Sequence, residues 1–274
     1  MSSLDIFVAT SIVPNHREEI QFKATKSWQL RNLNVLSLNS HQELKQLTDK
    51  YPHVNFIENN RTGKLLTEKP VVFISDLLHS LRLTKAQTLG IINSDIIVDG
   101  SSDFFKEIIS LTKMGLVYGP RLDVFKMSDA DGVLDPFGFD FFFFDRSFIN
   151  VWYESQFCLG MPFWDYWFPL MVLLNKKLAI KLITDKFRHV IHPTNRDNSF
   201  FLFNDYFAQE IIMKIQKNEI GFGSNFDISE YHTLRLNAEN KIEHNYNENL
   251  IKFYDGLSKY VLKFLGNTSQ IIKK

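Results

Sequence analysis

A chain of 274 residues with one cysteine, Cys158, forms no intrachain disulfide and offers no cysteine-rich zinc site. A reducing compartment is the simplest setting for such a chain. Charge of one sign is also missing: 31 Lys and Arg balance 31 Asp and Glu, for a formal net charge of zero. Binders of the nucleic-acid backbone carry a basic excess, so nucleic acid is not the expected partner, while a local basic pocket for one diphosphate is compatible with this balance. No apolar run reaches the ~20 residues of a membrane span. The nearest, residues 137–144, is broken by Asp140. Residues 1–5 lack the charged start and apolar stretch of a signal peptide, so a cytoplasmic location is expected. Glycine-rich phosphate loops are absent. There is no GxxxxGK[ST] segment, and the end of the first apolar run reads Thr10-Ser11-Ile12-Val13-Pro14 rather than GxGxxG. That excludes a Walker-type NTPase and argues against a dinucleotide-dependent oxidoreductase. Neither GxSxG nor HExxH occurs.

What is present is a globular composition, 45% hydrophobic and 23% charged, on a chain long enough to bury a large core. Phenylalanine accounts for 26 residues, six of them between positions 137 and 144. Core packing is the expected use of that cluster, ahead of a sugar-stacking surface. The first half alternates. Residues 4–13 read as a buried strand, and 16–30 as a helix with Ile20, Ala24 and Trp28 about one turn apart. Then follow a strand at 34–38, a helix at 41–50, a strand at 54–57 and a polar loop at 59–69. A helix opened by Pro70 carries Val72, Leu77, Leu78 and Leu81, and a buried strand at 89–92 runs into Asn93-Ser94-Asp95. Such alternation predicts an α/β fold with a mainly parallel sheet and helices on both faces. Ligands of these sheets bind beyond the carboxyl ends of the strands, which puts Thr10, Ser11, Asn59, Arg61, Asn93, Ser94 and Asp95 on one rim.

The second half predicts helices at 104–111, 146–154, 162–174, 205–215 and 249–265. Strands are expected at 116–118, 139–144, 178–183 and 189–191, with a polar loop at 127–135. No repeat or linker divides the chain. One domain over 1–274 is expected, with a nucleotide-binding half (1–100), an acceptor and catalytic half (101–220) and a helical C-terminal extension (221–274).

Asp95 is delivered to the rim by a buried strand. A divalent cation held by a carboxylate can bridge two phosphates and offset the charge of a departing diphosphate. Asn93-Ser94-Asp95 resembles the DxD-type motif of glycosyltransferases with the GT-A fold, with Asn93 in place of the first acid. The resemblance covers the element order of about the first two-thirds of the chain and, locally, this tripeptide. It implies a single GT-A-like domain, a nucleotide-sugar donor, Mn2+ or Mg2+ as cofactor, and a carbohydrate or glycoconjugate acceptor. By position it also implies an acid on a later helix as general base, here Asp165, and a late histidine beside Asp95 at the metal, here His192.

The residues themselves add further readings. Asp165 lies in the first turn of its helix, where the dipole favours a carboxylate, and Trp164, Tyr166 and Trp167 beside it suit a sugar pocket. His189 and His192, three apart on a strand, should point to opposite faces and not share one ion. Asp140 among strand phenylalanines must be paired or face the rim, either holding donor-sugar hydroxyls or bridging to Arg146 or Arg121. Arg61 and Lys64, and Arg196 with Asp197 past His192, are candidate diphosphate contacts or solvated loop residues. Two other functions fit less well. A sugar-nucleotide nucleotidyltransferase usually carries a glycine-rich basic loop after its first strand, and residues 11–17 contain no glycine. A non-catalytic nucleotide-sugar-binding module is the reading that Asn93 allows.

Overall fold

The computed structural model describes residues 5–129, 131–193, 199–216, 228–239 and 246–274. The first half runs β1 (Ile6–Thr10), α1 (Glu18–Leu30), β2 (Leu33–Asn39), α2 (His41–Leu47), β3 (Asn55–Glu58), α3 (Lys64–Thr67), α4 (Ile74–Leu83), β4 (Thr88–Ile92) and β5 (Ile96–Val98). It continues through α5 (Ser102–Thr112), β6 (Gly115–Val124), β7 (Val133–Asp145), α6 (Trp164–Leu174), β8 (Leu178–Ile183), β9 (Phe187–Val190), α7 (Ser199–Gln216), α8 (Ile228–Glu239), α9 (Tyr246–Thr268) and β10 (Gln270–Lys273). The main path of the sheet is β10-β8-β6-β7-β4-β1-β2-β3, and β9 joins β5 to β6. All pairings are parallel except those of β7 with β4 and β6 and of β5 with β9. This is the expected mainly parallel α/β sheet.

Helices cover both faces. One core layer joins α4, α6, α7 and α9 to the sheet through Leu77, Phe168, Phe207 and Leu257; the other joins α1, α2 and α5 through Trp28, Leu47 and Phe105. Phe142 and Phe144 enter the first layer while Phe141 and Phe143 enter the second, as side chains of one strand alternate. All four are fully buried, as is Phe139, so the phenylalanine cluster is core apart from the exposed Phe137. No helix among the described residues is long and apolar enough to cross a membrane.

The register of β7 against β6 shifts on both sides of Pro120. Gly119 of β6 faces Phe141 and Pro120 faces Phe139, which leaves Asp140 as the extra residue of a bulge. Pro120 has no N–H to give the ladder, so pairing breaks where it stands.

Several boundaries depart from the sequence expectations. The helix expected from Pro70 begins at Ile74, because residues 71–73 are held as extended chain. The Gly63 amide donates to the Val71 carbonyl, and Phe73 bridges Cys158. Residues 146–154 form one 3-10 turn, Arg146–Phe148, rather than a helix. There the amides of Ile149 and Val151 bond three residues back, and Arg146 donates to the carbonyls of Arg82, Thr84 and Ala86. The end of the polar 127–135 loop becomes strand because Val133, Leu134 and Asp135 pair with Asp123, Leu122 and Arg121. Helix α8 and strand β10 were not anticipated.

Candidate active site

Strands β1 and β4 lie side by side and parallel at the centre of the sheet, and both carboxyl ends open onto one cavity of ≈ 670 Å³. Ser11 follows β1 into its lining, and Asn93, Ser94 and Asp95 follow β4. Gln21 of α1, 2% exposed, ties the two loops together. Its amide oxygen accepts from the Val13 amide at 2.9 Å and the Ser94 hydroxyl at 2.8 Å, and its nitrogen donates to the Val13 and His16 carbonyls. An Asn93 N–H to Asp140 carbonyl bond of 3.0 Å fixes the start of the β4 loop to the β7 bulge.

Asp95, His189 and His192 bring one ligand atom each to within 4.8 Å of one another. Oδ2 of Asp95 lies 3.6 Å from Nε2 of His189 and 3.8 Å from Nε2 of His192. The expectation that the two histidines face apart is therefore corrected. Strand β9 ends at Val190, so alternation no longer governs His192, which turns back toward the cavity. His189 is placed by pairing: it stands opposite Ile96 of β5 and opposite Asp123 of β6. Nδ1 of His189 donates to Asp123 at 2.8 Å, and Nδ1 of His192 donates to the Pro193 carbonyl at 3.1 Å. Both rings are thus oriented with Nε2 toward Asp95, the arrangement by which an outer hydrogen bond fixes a metal-ligating imidazole. Oδ1 of Asn93, just past the end of β4, is buried without a hydrogen-bond partner among the described residues.

The electrostatics follow from this packing. Burial pushes the Asp95 carboxyl up, but the hydrogen bond and charge of His189, with Arg17 and His192, outweigh it and hold Asp95 below its ordinary value. Burial lowers His189, but its bond to Asp95 outweighs that, so its net shift is upward. His192 is lowered, chiefly by burial.

Two further acids, Asp140 and Asp165, line the cavity. The bulge turns Asp140 into the cavity, where it pairs with Arg121 and accepts from the Asn93 amide nitrogen. Of the two arginines considered for Asp140, the partner is Arg121. This guanidinium also holds Asp123 at 2.9 Å and Asp135 at 3.3 Å. Asp165 lies in the first turn of α6, entered through Phe163 at φ 69°. Its Oδ2 faces the Phe139 amide at 3.4 Å. Burial, and then the neighbouring Asp140, push its carboxyl up to about 8.

Ser11, Asn93, Ser94, Asp95, Asp140, Trp164, Asp165 and His192 all line this one cavity. Thr10 is fully buried and lies outside the lining. Asn59 and Arg61 also lie outside it, bonded to Asp76 at 3.1 and 3.3 Å, because β3 is the edge strand, separated from β4 by β1 and β2. Tyr166 and Trp167 are outside the lining as well: Tyr166 bonds the Phe137 carbonyl and Trp167 is fully buried. Arg196 and Asp197 lie outside the described residues. Arg17, Gln21, Asp123 and the pairing of His189 with Asp95 were not foreseen. The only signal in the sequence was the His189-Val190-Ile191-His192 spacing.

No family model matches the sequence, and no curated protein does. Among solved structures, the crystal structure of HddC from Yersinia pseudotuberculosis aligns at TM-score 0.37 and 12% identity, over 58% of this chain and 84% of that one. The crystal structure of the same protein complexed with GMP-PN gives 0.35 and 12%, over 55% and 80%. Likeness at this level is partial and implies no shared activity.

Proposed function

We propose that this protein is a metal-assisted glycosyltransferase that moves a sugar from a nucleotide-sugar donor to a hydroxyl of a carbohydrate or glycoconjugate acceptor. The observation that carries the reading is the convergence of Asp95, His189 and His192 at a cavity beyond the carboxyl ends of β1 and β4, with the partly buried acid Asp165 also in its lining.

The donor set fits a divalent cation. One carboxylate and two oriented imidazoles converge, and the Asn93 side-chain oxygen, in the lining of the same cavity, lacks a partner among the described residues. Two nitrogens favour Mn2+ over Mg2+, which prefers oxygen ligands and retained water. When bound, the cation would offset the charge of the donor's diphosphate as the glycosidic bond breaks. Ser11 and Ser94 offer hydroxyls to the nucleotide-sugar, and Asp140, held by Arg121, offers carboxylate oxygens to the donor sugar. Trp164 supplies an apolar wall against the sugar face. Asp165 takes the acceptor's hydroxyl proton. A carboxyl that titrates near 8 is a stronger base than an ordinary one and is partly ionised at neutral pH.

The test is release of nucleoside diphosphate from a panel of nucleotide-sugars, with Mn2+ and mixed glycan acceptors. Turnover that falls by about 100-fold or more in Asp95→Ala and in Asp165→Asn is expected. No release from any donor, with or without acceptor, would overturn the reading. Nucleotidyl transfer remains the second reading because a basic residue of the loop after β1, Arg17, does reach the cavity. Pyrophosphate formation from a nucleoside triphosphate and a sugar 1-phosphate would select it.

A further inference from the structure

One oxygen of the cavity has three nitrogen neighbours. Besides the two histidines, Oδ2 of Asp95 takes a 3.0 Å ion pair from Nη1 of Arg17, whose side chain is only 14% exposed. Nη2 of the same guanidinium donates to the Val190 carbonyl at 2.6 Å, on the short segment that joins His189 to His192. Arg17 thus stands on the oxygen toward which both imidazoles point. A divalent cation shared by Asp95, His189 and His192 needs that oxygen. Two cations cannot both keep it, since like charges at such a distance repel strongly in a partly buried site.

Arg17 is also held in a conformation that non-glycine residues rarely adopt. Its φ of 45° and ψ of 38° are left-handed, and Asn15 two residues earlier has φ 57°. Such backbone persists where the surroundings enforce it, and here the Asp95 and Val190 bonds are part of that enforcement. Release from Asp95 removes one restraint and leaves a planar, permanently charged fork in the lining of the cavity. That fork matches phosphate oxygens in geometry and charge.

We infer that Arg17 is exchanged for the metal at Asp95, and that the displaced guanidinium then binds the diphosphate of the donor. This rests on the metal and nucleotide-sugar reading above. Arg17 keeps Asp95 paired before the cation enters and becomes a phosphate contact afterwards. Metal and donor then bind cooperatively, because each takes one member of a pair that the other must leave.

The test uses Mn2+ alone, followed by paramagnetic resonance of the unbound ion, and then inorganic pyrophosphate at saturating Mn2+. Arg17→Gln removes the charge and keeps much of the side chain. Arg17→Gly removes the side chain and accepts the left-handed backbone, so at least one variant should fold, as thermal unfolding without metal will show. Both variants are expected to bind Mn2+ about tenfold tighter than wild type and pyrophosphate about tenfold more weakly. Unchanged or weaker Mn2+ binding in both, with wild-type binding abolished by Asp95→Asn, would make Arg17 a fixed ion-pair partner and leave the metal reading standing. Tighter Mn2+ binding with unchanged pyrophosphate affinity would overturn the transfer of Arg17 to phosphate. Absence of Mn2+ binding in every protein would remove the metal reading and this proposal together.

Discussion

Asp165 joins function and stability in one carboxyl. Partly buried beside Asp140, with Arg121 opposing, it holds its proton up to about pH 8, against an ordinary value of 3.8. The folded chain therefore binds this proton more tightly than the unfolded chain does. Its contribution to stability is favourable below the unfolded value and is lost as pH rises toward the folded value. The base form, by contrast, accumulates upward through the same range. Turnover per unit KM should thus climb to a shoulder near pH 8, measured on donor release. Asp165→Asn should flatten that limb at a low level while raising stability at pH 8 by on the order of 2 kcal/mol in denaturant titration. A profile flat from pH 6 to 9 in wild type would remove Asp165 as the base. Asp123 acts through His189. Its carboxylate orients the ring, so Asp123→Ala should weaken Mn2+ binding by about 10- to 100-fold, read by calorimetry, without touching the ion itself. Of these residues, Asp95, Asp165 and His192 are legible in the sequence because each sits just past an apolar run or at a helix start. Asp123 and the role of His189 are not, since they arise from β9 lying between β5 and β6, a pairing across more than sixty residues that no local pattern encodes.

At the scale of elements, the sequence is informative where a strand is buried on both faces. Strands β1, β2 and β4 are rich in buried apolar residues and their observed bounds lie within a few residues of expectation. It is least informative where tertiary pairing overrides local preference. Residues 133–135, the end of the expected polar loop, are strand because β6 pairs with them, and residues 71–73 stay extended because Gly63 and Cys158 take Val71 and Phe73 as partners. The bulge at Asp140 depends on the tight approach of β6 to its neighbours. A Cβ added at Gly119 would stand 2.0 Å from the Leu182 carbonyl oxygen of β8 and 3.0 Å from the Phe141 ring. Gly119→Ala should therefore cost about 3 kcal/mol of stability, with donor affinity reduced as Asp140 shifts. A substitution that left the denaturation midpoint unchanged would mean that β6 and β8 can separate there freely.

The whole molecule turns on strand order. With β1 and β4 adjacent at the centre and β3 at one edge, the loops after β1 and β4 share a cavity, whereas Asn59 and Arg61 directly after β3 stay outside it and that connection reaches the lining only at Lys69, Pro70, Val71 and Val72. Sequence alternation predicts that all three loops lie on one rim, but distance along the rim depends on the order, which alternation leaves open. Arg61→Ala should accordingly leave donor affinity within about twofold of wild type and act through the lost stacking over Phe73 and the lost Asp76 and Glu154 pairs, both partly exposed and worth at most about 1 kcal/mol each. The central claim is that a divalent cation at Asp95, His189 and His192 recruits a nucleotide-sugar. Its most direct test is a thermal-unfolding screen of nucleoside diphosphates and nucleotide-sugars, with and without Mn2+, on wild type and Asp95→Ala. A ligand at about 100 times its Kd adds roughly 2.7 kcal/mol to stability. The account predicts such a shift for one nucleotide family, dependent on Mn2+ and lost in Asp95→Ala. The absence of any shift, or one that persists without metal and in the variant, would contradict it.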